Sequence, residues 1–194
     1  MFLFATRYLQ EAVLQGDQTC KDLYRAYDKI MDAAINIGKW DDRTLAFQLV
    51  TSTEKCREQM RAEIDTLREI LARREESSLI KHRAPNFILQ RDEVPYNGLQ
   101  TYQCRYLREA ADESKYACEG LNTTYVLLSK SLSILHRRDN DQIKNSIERI
   151  RECERQMLIV NETLAELYER LEKAELEALY APPSYFEIAN EPSS

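Results

Sequence analysis

The sequence predicts an all-α protein: an antiparallel helical hairpin followed by a long coiled-coil segment, which either runs on or folds back near residues 137–141 into a second hairpin. Three observations carry this. The 194 residues include only four glycines and five prolines, far fewer than sandwiches, barrels and phosphate-loop α/β folds spend on turns. Apolar residues recur at steps of three and four through long segments, as on amphipathic helices. The prolines also punctuate cleanly, with none before Pro85 and none between Pro95 and Pro182.

The first helix is expected from about Leu3 to Ile37. Its stripe is Tyr8/Leu9, Ala12/Val13, Cys20, Leu23/Tyr24, Tyr27, Ile30/Met31 and Ala34. Gly16 weakens its middle, at about 1 kcal/mol relative to alanine, and Gly38 stands where a C-terminal glycine belongs. Asp41-Asp42 can cap a second helix running to about Lys81. Its seam of Leu45, Leu49, Cys56, Met60, Ile64, Leu67 and Leu71 is close to a heptad repeat. The short connection folds the two helices into a hairpin, residues 1–82, with Trp40 expected over its tip.

Between His82 and Asn97 the helical pattern stops. Pro85 and the Pro95-Tyr96-Asn97-Gly98 turn signal bracket the apolar triplet Phe87-Ile88-Leu89. Residues 83–97 therefore read as a linker, whose triplet either tucks onto the hairpin or meets a partner. Residues 98–181 are helical again, through Leu99, Tyr102, Tyr106, Ala110, Ala117, Leu121, Tyr125, Leu128, Leu132 and Leu135, then Ile143, Ile147, Ile150, Met157, Leu164, Leu167 and Leu171. The step from Leu135 to Ile143 keeps the stripe in phase and no glycine or proline intervenes, which favours a continuous rod. Pro182-Pro183 ends it, leaving a tail to Ser194.

Composition and motifs bound the function. A hydrophobic fraction of 43% is too high for a disordered chain, yet no apolar run approaches a membrane span of about 18 residues. The apolar start is broken by Arg7 and Glu11 and lacks the layout of a signal peptide. Five cysteines without a Cys-x-x-Cys pair read as reduced core thiols. The expected setting is the nucleus or the cytoplasm. Asn122-Thr123-Thr124 and Asn161-Glu162-Thr163 match the glycosylation pattern by chance within helices.

His82 and His136 are the only histidines, each beside an arginine, and no phosphate loop, zinc spacing or Glu-x-x-His signature occurs. No catalytic residue, cofactor, metal or small-molecule substrate is expected. Paired Glu54–Glu58 with Arg57–Arg61 read as a solvated face. The formal net charge of −6 is uneven. Residues 1–138 are within one unit of neutral, and the excess lies after 139, especially from Glu162 to Glu177. Neither direct nucleic-acid binding nor a membrane surface fits this balance. Glu166, Glu169 and Glu172 are expected to meet a basic partner surface or solvent.

Several local features resemble the minichromosome-instability (Mis-twelve) subunit family of the outer-kinetochore MIND complex. They are Gln18-Thr19-Cys20, Thr53-Glu54-Lys55, and Pro85-Asn86-Phe87-Ile88-Leu89 followed by Asp92-Glu93-Val94-Pro95-Tyr96. The likeness spans roughly Gln18 to Leu107 and extends to the order of hairpin, proline-containing linker and long helix. It implies a non-enzymatic scaffold subunit of an obligate hetero-oligomer of helical proteins, linking centromeric chromatin to microtubule-binding components. Tyr24, Tyr27 and Ile30 would then bind a sister subunit, with Phe87, Ile88 and Leu89 as further contacts. Ile147, Ile150, Met157, Leu164 and Leu171 would line a multi-chain rod. The alternatives are a helical tethering or trafficking subunit and a self-contained four-helix adaptor that binds peptides in a groove.

Overall fold

The computed structural model describes residues 2–76, 101–134 and 139–180. They form four helices: α1 (Phe2–Asn36), α2 (Trp40–Glu76), α3 (Tyr102–Ile134) and α4 (Asn140–Tyr180). The all-α prediction holds, with no strand among the described residues. The expected linker, including Phe87, Ile88 and Leu89, and the tail lie outside the described residues.

Each helix owes its place to a seven-residue repeat. In α1, Leu9, Gly16, Leu23, Ile30 and Ile37 alternate with Ala12, Thr19, Ala26 and Ala33, and all nine are buried. In α4, Ile143, Ile150, Met157 and Leu164 alternate with Ser146, Cys153, Val160 and Leu167. Strict heptads turn a straight stripe into a seam that stays on a neighbouring helix for its whole length. Side chains from all four helices join in one core.

Cross-helix contacts establish the topology. Lys130 lies over the Tyr8 ring at 5.9 Å and Lys29 meets Glu109 at 2.8 Å, so α1 and α3 are antiparallel. Arg68 pairs with Asp17 while Arg57 lies over Tyr24, so α1 and α2 are antiparallel too. On α2 and α4, Asp42 meets Arg170 at 2.5 Å and Arg74 meets Asp139 at 2.7 Å. On α3 and α4, Asn161 donates to the Ala111 carbonyl and Arg151 lies over Tyr125. The ring order is therefore α1–α2–α4–α3, and neither diagonal pair makes close backbone contact. Because α2 and α3 are parallel, Glu76 and Tyr102 stand at opposite poles of the bundle. Glu76 and Tyr102 are thus separated by roughly 50 Å of helix at 1.5 Å per residue.

Three expectations are corrected. The favoured continuous rod does not form: α3 ends at Ile134, and α4 restarts at Asn140 and returns alongside it. Folding back lets both seams bury against two helices each, which an extended single chain cannot do. Asp139, half-buried beside Arg73 and Arg74 at the end of α2, secures the reversal. A carboxylate before α4 and cations at the end of α2 are each favoured by the helix dipoles. Trp40 does not cover the hairpin tip; it is 74% exposed. Gly38 follows α1 but is not in a left-handed conformation, and its N–H is donated to the Gln103 side chain at 3.3 Å.

Candidate peptide groove

Along the outer face of the α1/α2 pair runs a groove of about 670 Å³. Cys20 and Ile64 form its floor, and burial, with Asp17 nearby, pushes the Cys20 thiol up to about 11. Five cationic side chains line it: Lys21 and Arg25 from α1, and Arg57, Arg61 and Arg68 from α2. Asp17 and Glu58 line it as well, and Asp22, Glu54 and Asp65 pair with Arg25, Arg57 and Arg68.

Two of the arginines are held in place. The Arg57 guanidinium lies 5.6 Å from the Tyr24 ring centroid and 5.2 Å from that of Tyr27, and bonds Glu54 at 2.8 Å. Cation–π contact and the ion pair leave it little rotamer freedom to lose on binding. Arg68 bonds Asp17 across the helices and Asp65 within α2. By contrast, Lys21 and Arg61 are exposed and make no ion pair with any described residue. The groove therefore combines a fixed aromatic–arginine wall with two cations free to meet an anionic ligand.

The sequence singled out Tyr24 and Tyr27, and the structure brings both to this wall. It missed Lys21, Arg25, Arg61 and Arg68, because each segment is neutral when counted along the chain. The signal was the spacing Arg57, Arg61, Arg68, which keeps three cations on one side of α2.

The other expected contact residues divide sharply. Ile30, Ile150, Met157 and Leu164 are fully buried among the chain's own helices, so they are core positions and present nothing to another chain. Ile147 and Leu171 are half-buried against the same core. Glu166 and Glu169 are exposed, whereas Glu172 accepts the Tyr168 hydroxyl at 2.6 Å. Asn161 spends its side-chain amide on Ala111 and Ser114 of α3, each at 2.7 Å. At the Gly38 end, a separate apolar cluster is exposed: Ile35, Trp40, Tyr102, Leu176, Leu179 and Tyr180.

Among the described residues no cluster of His, Cys, Asp or Glu could hold a metal ion. No described helix is long and apolar enough to cross a membrane. No family model matches this chain, nor does any curated protein or solved structure.

Proposed function

We propose that this protein is a self-contained, non-enzymatic four-helix adaptor that receives an acidic peptide segment of a partner protein in the α1/α2 groove. The observation that carries the reading is the groove's lining of five cations and an exposed tyrosine, of which Lys21 and Arg61 have no ion-pair partner among the described residues. Its supporting context is the burial of the heptad seams within the chain, which removes the need for partner helices. Of the three readings of the sequence, this is the adaptor.

The test has two parts. The chain expressed alone should be a compact monomer that melts cooperatively; aggregation rescued only by helical partners would favour an obligate subunit. A fluorescent oligoglutamate peptide should bind, weakening as salt rises. Lys21→Glu with Arg61→Glu should reduce its affinity by roughly tenfold or more, as expected when two steering charges are inverted. Equal binding by the variant would sink the groove assignment.

The second reading is a scaffold subunit of a hetero-oligomer, with the MIND-type kinetochore complex as its setting. Its support is the exposure of Trp40, Tyr102, Leu179 and Tyr180 at helix ends on one pole of the bundle, because exposed apolar surface concentrated in one region marks interaction sites. The kinetochore setting itself rests on the resemblance between Gln18 and Leu107.

A further inference from the structure

Cys56 of α2 and Cys153 of α4 face each other across the middle of the α2/α4 seam. The Cys56 Sγ lies 3.7 Å from the Cys153 carbonyl oxygen, and the Cys153 Sγ lies 3.9 Å from the Cys56 carbonyl oxygen. This reciprocity matters: each sulfur reaches the other residue's backbone, so the two cysteines stand directly opposite each other across the seam. Both residues are buried and both thiols are free. The Gln156 side-chain oxygen, at 3.4 Å, also accepts from Cys56. No hydrogen bond joins Cys20, Cys104 or Cys118 to another sulfur among the described residues.

We propose that Cys56 and Cys153 are an oxidative modification site, closing to an inter-helix disulfide when a small hydroperoxide reaches the seam. In the first step the Cys153 thiolate attacks the peroxide oxygen. The O–O bond breaks, and Cys153 becomes a sulfenic acid with release of water. In the second, the Cys56 sulfur displaces the sulfenic hydroxyl, the S–S bond forms and a second water leaves. Two thiols lose two electrons and two protons, and one hydrogen peroxide is reduced to two waters. The order follows from the acceptors around Cys56: its thiol faces both the Cys153 carbonyl and the Gln156 side-chain oxygen, which hold it protonated and leave Cys153 to attack. Because both sulfurs are buried, the first step requires the seam to open locally. α2 and α4 make the least extensive of the bundle's four interfaces. The site is independent of what the groove binds.

The experiment treats the full chain with a small excess of hydrogen peroxide, followed by alkylation, intact mass and peptide mapping. The expected product has lost two hydrogens and contains a Cys56–Cys153 linked peptide pair. The melting temperature should rise by roughly 5–10 °C and return on adding a reductant. Cys118→Ala should form the same link, and Cys153→Ala should form none. Sulfinic acid without a cross-link, or linkage of Cys56 to Cys118, would overturn the assignment. If Cys153→Ala fails to fold, the linked pair in Cys118→Ala still decides.

Discussion

The α1/α3 and α2/α4 interfaces are built on opposite principles. Between α1 and α3 the seam is made of small side chains: Ala12, Thr19, Ala26 and Ala33 on one helix, Ala110, Ala117, Gly120, Thr124 and Ser131 on the other. Its hydroxyls are satisfied at home, Thr19 by the Gln15 carbonyl at 2.8 Å and Thr124 by the Gly120 carbonyl at 2.9 Å. Such a seam brings two backbones close and gains its energy from dispersion over a long surface. Between α2 and α4 the seam is polar. Glu63, 2% exposed, accepts from Ser146 at 2.7 Å, Arg149 at 3.0 Å and Gln59 at 2.6 Å. Further along come the thiol pair, Asp42 with Arg170, and Arg74 with Asp139. The first interface supplies adhesion. The second supplies register, because a buried carboxylate fits only where its donors are.

The largest expected effect lies on the small-residue seam. A Cβ at Gly120 would stand 2.6 Å from the Thr19 Oγ1, and β-branched threonine has little freedom to yield. Gly120→Leu should therefore cost about 3 kcal/mol by overpacking, checked by urea denaturation. Gly16 is as tight: its Cβ would meet Ile64 Cδ1 at 1.9 Å and Cγ1 at 2.7 Å, and Ile64 is buried and β-branched too. Gly16→Ala and Gly120→Ala should both destabilise, and a neutral result at Gly120 would break the small-residue account of this seam.

A smaller effect is expected on the polar seam, and its sign depends on the replacement. Glu63→Ala leaves Ser146 and Arg149 facing a void and should cost about 2 kcal/mol. Glu63→Met with Ser146→Ala should be close to neutral, since apolar groups of similar volume replace a buried polar set well. Arg149 is 60% exposed, so its own part in the pair is screened and modest. If both replacements cost the same, the seam contributes adhesion, and the contrast with α1/α3 fails.

The smallest effect is electrostatic and belongs to α1/α3. Burial works against ionised Glu109, yet Lys29 and Arg105 hold its carboxyl below the usual range. The hydrogen bond to Glu109 holds Lys29 above its own. A depressed carboxyl stabilises the fold above its unfolded pKa of about 4.3 and loses that contribution as pH falls through the folded value. The raised lysine contributes below about pH 10.4 and loses its share above it. Both groups are about one-third exposed, so Glu109→Gln should flatten the acid limb of the stability curve by under about 1 kcal/mol. A limb unchanged by the substitution would assign acid sensitivity to other carboxylates.

The contrast also explains what could be read beforehand. Period alone located the helical segments and most of their buried faces, because a helix cannot hide a stripe it does not have; it did not locate the break between α3 and α4, across which the stripe stays in phase. Gly16 read as a weakness of α1, whereas in three dimensions it makes room for Ile64. Ile150, Met157 and Leu164 read as partner contacts for the same reason: a seam states that something must cover it, not which helix does. The groove stayed hidden because charge was counted along the chain, while its cations gather across two helices.

What the sequence by itself determined is therefore the helical character and the apolar faces, both of which depend on neighbours within a turn or two. Only the tertiary structure decided the reversal after Ile134, the ring order α1–α2–α4–α3 and the α1/α2 groove. Those depend on pairings such as Arg74 with Asp139 and Glu63 with Ser146, between residues distant in sequence. The physical reason is that a heptad stripe is degenerate among partners. Side-chain size on one face and a few buried polar contacts on another remove the degeneracy.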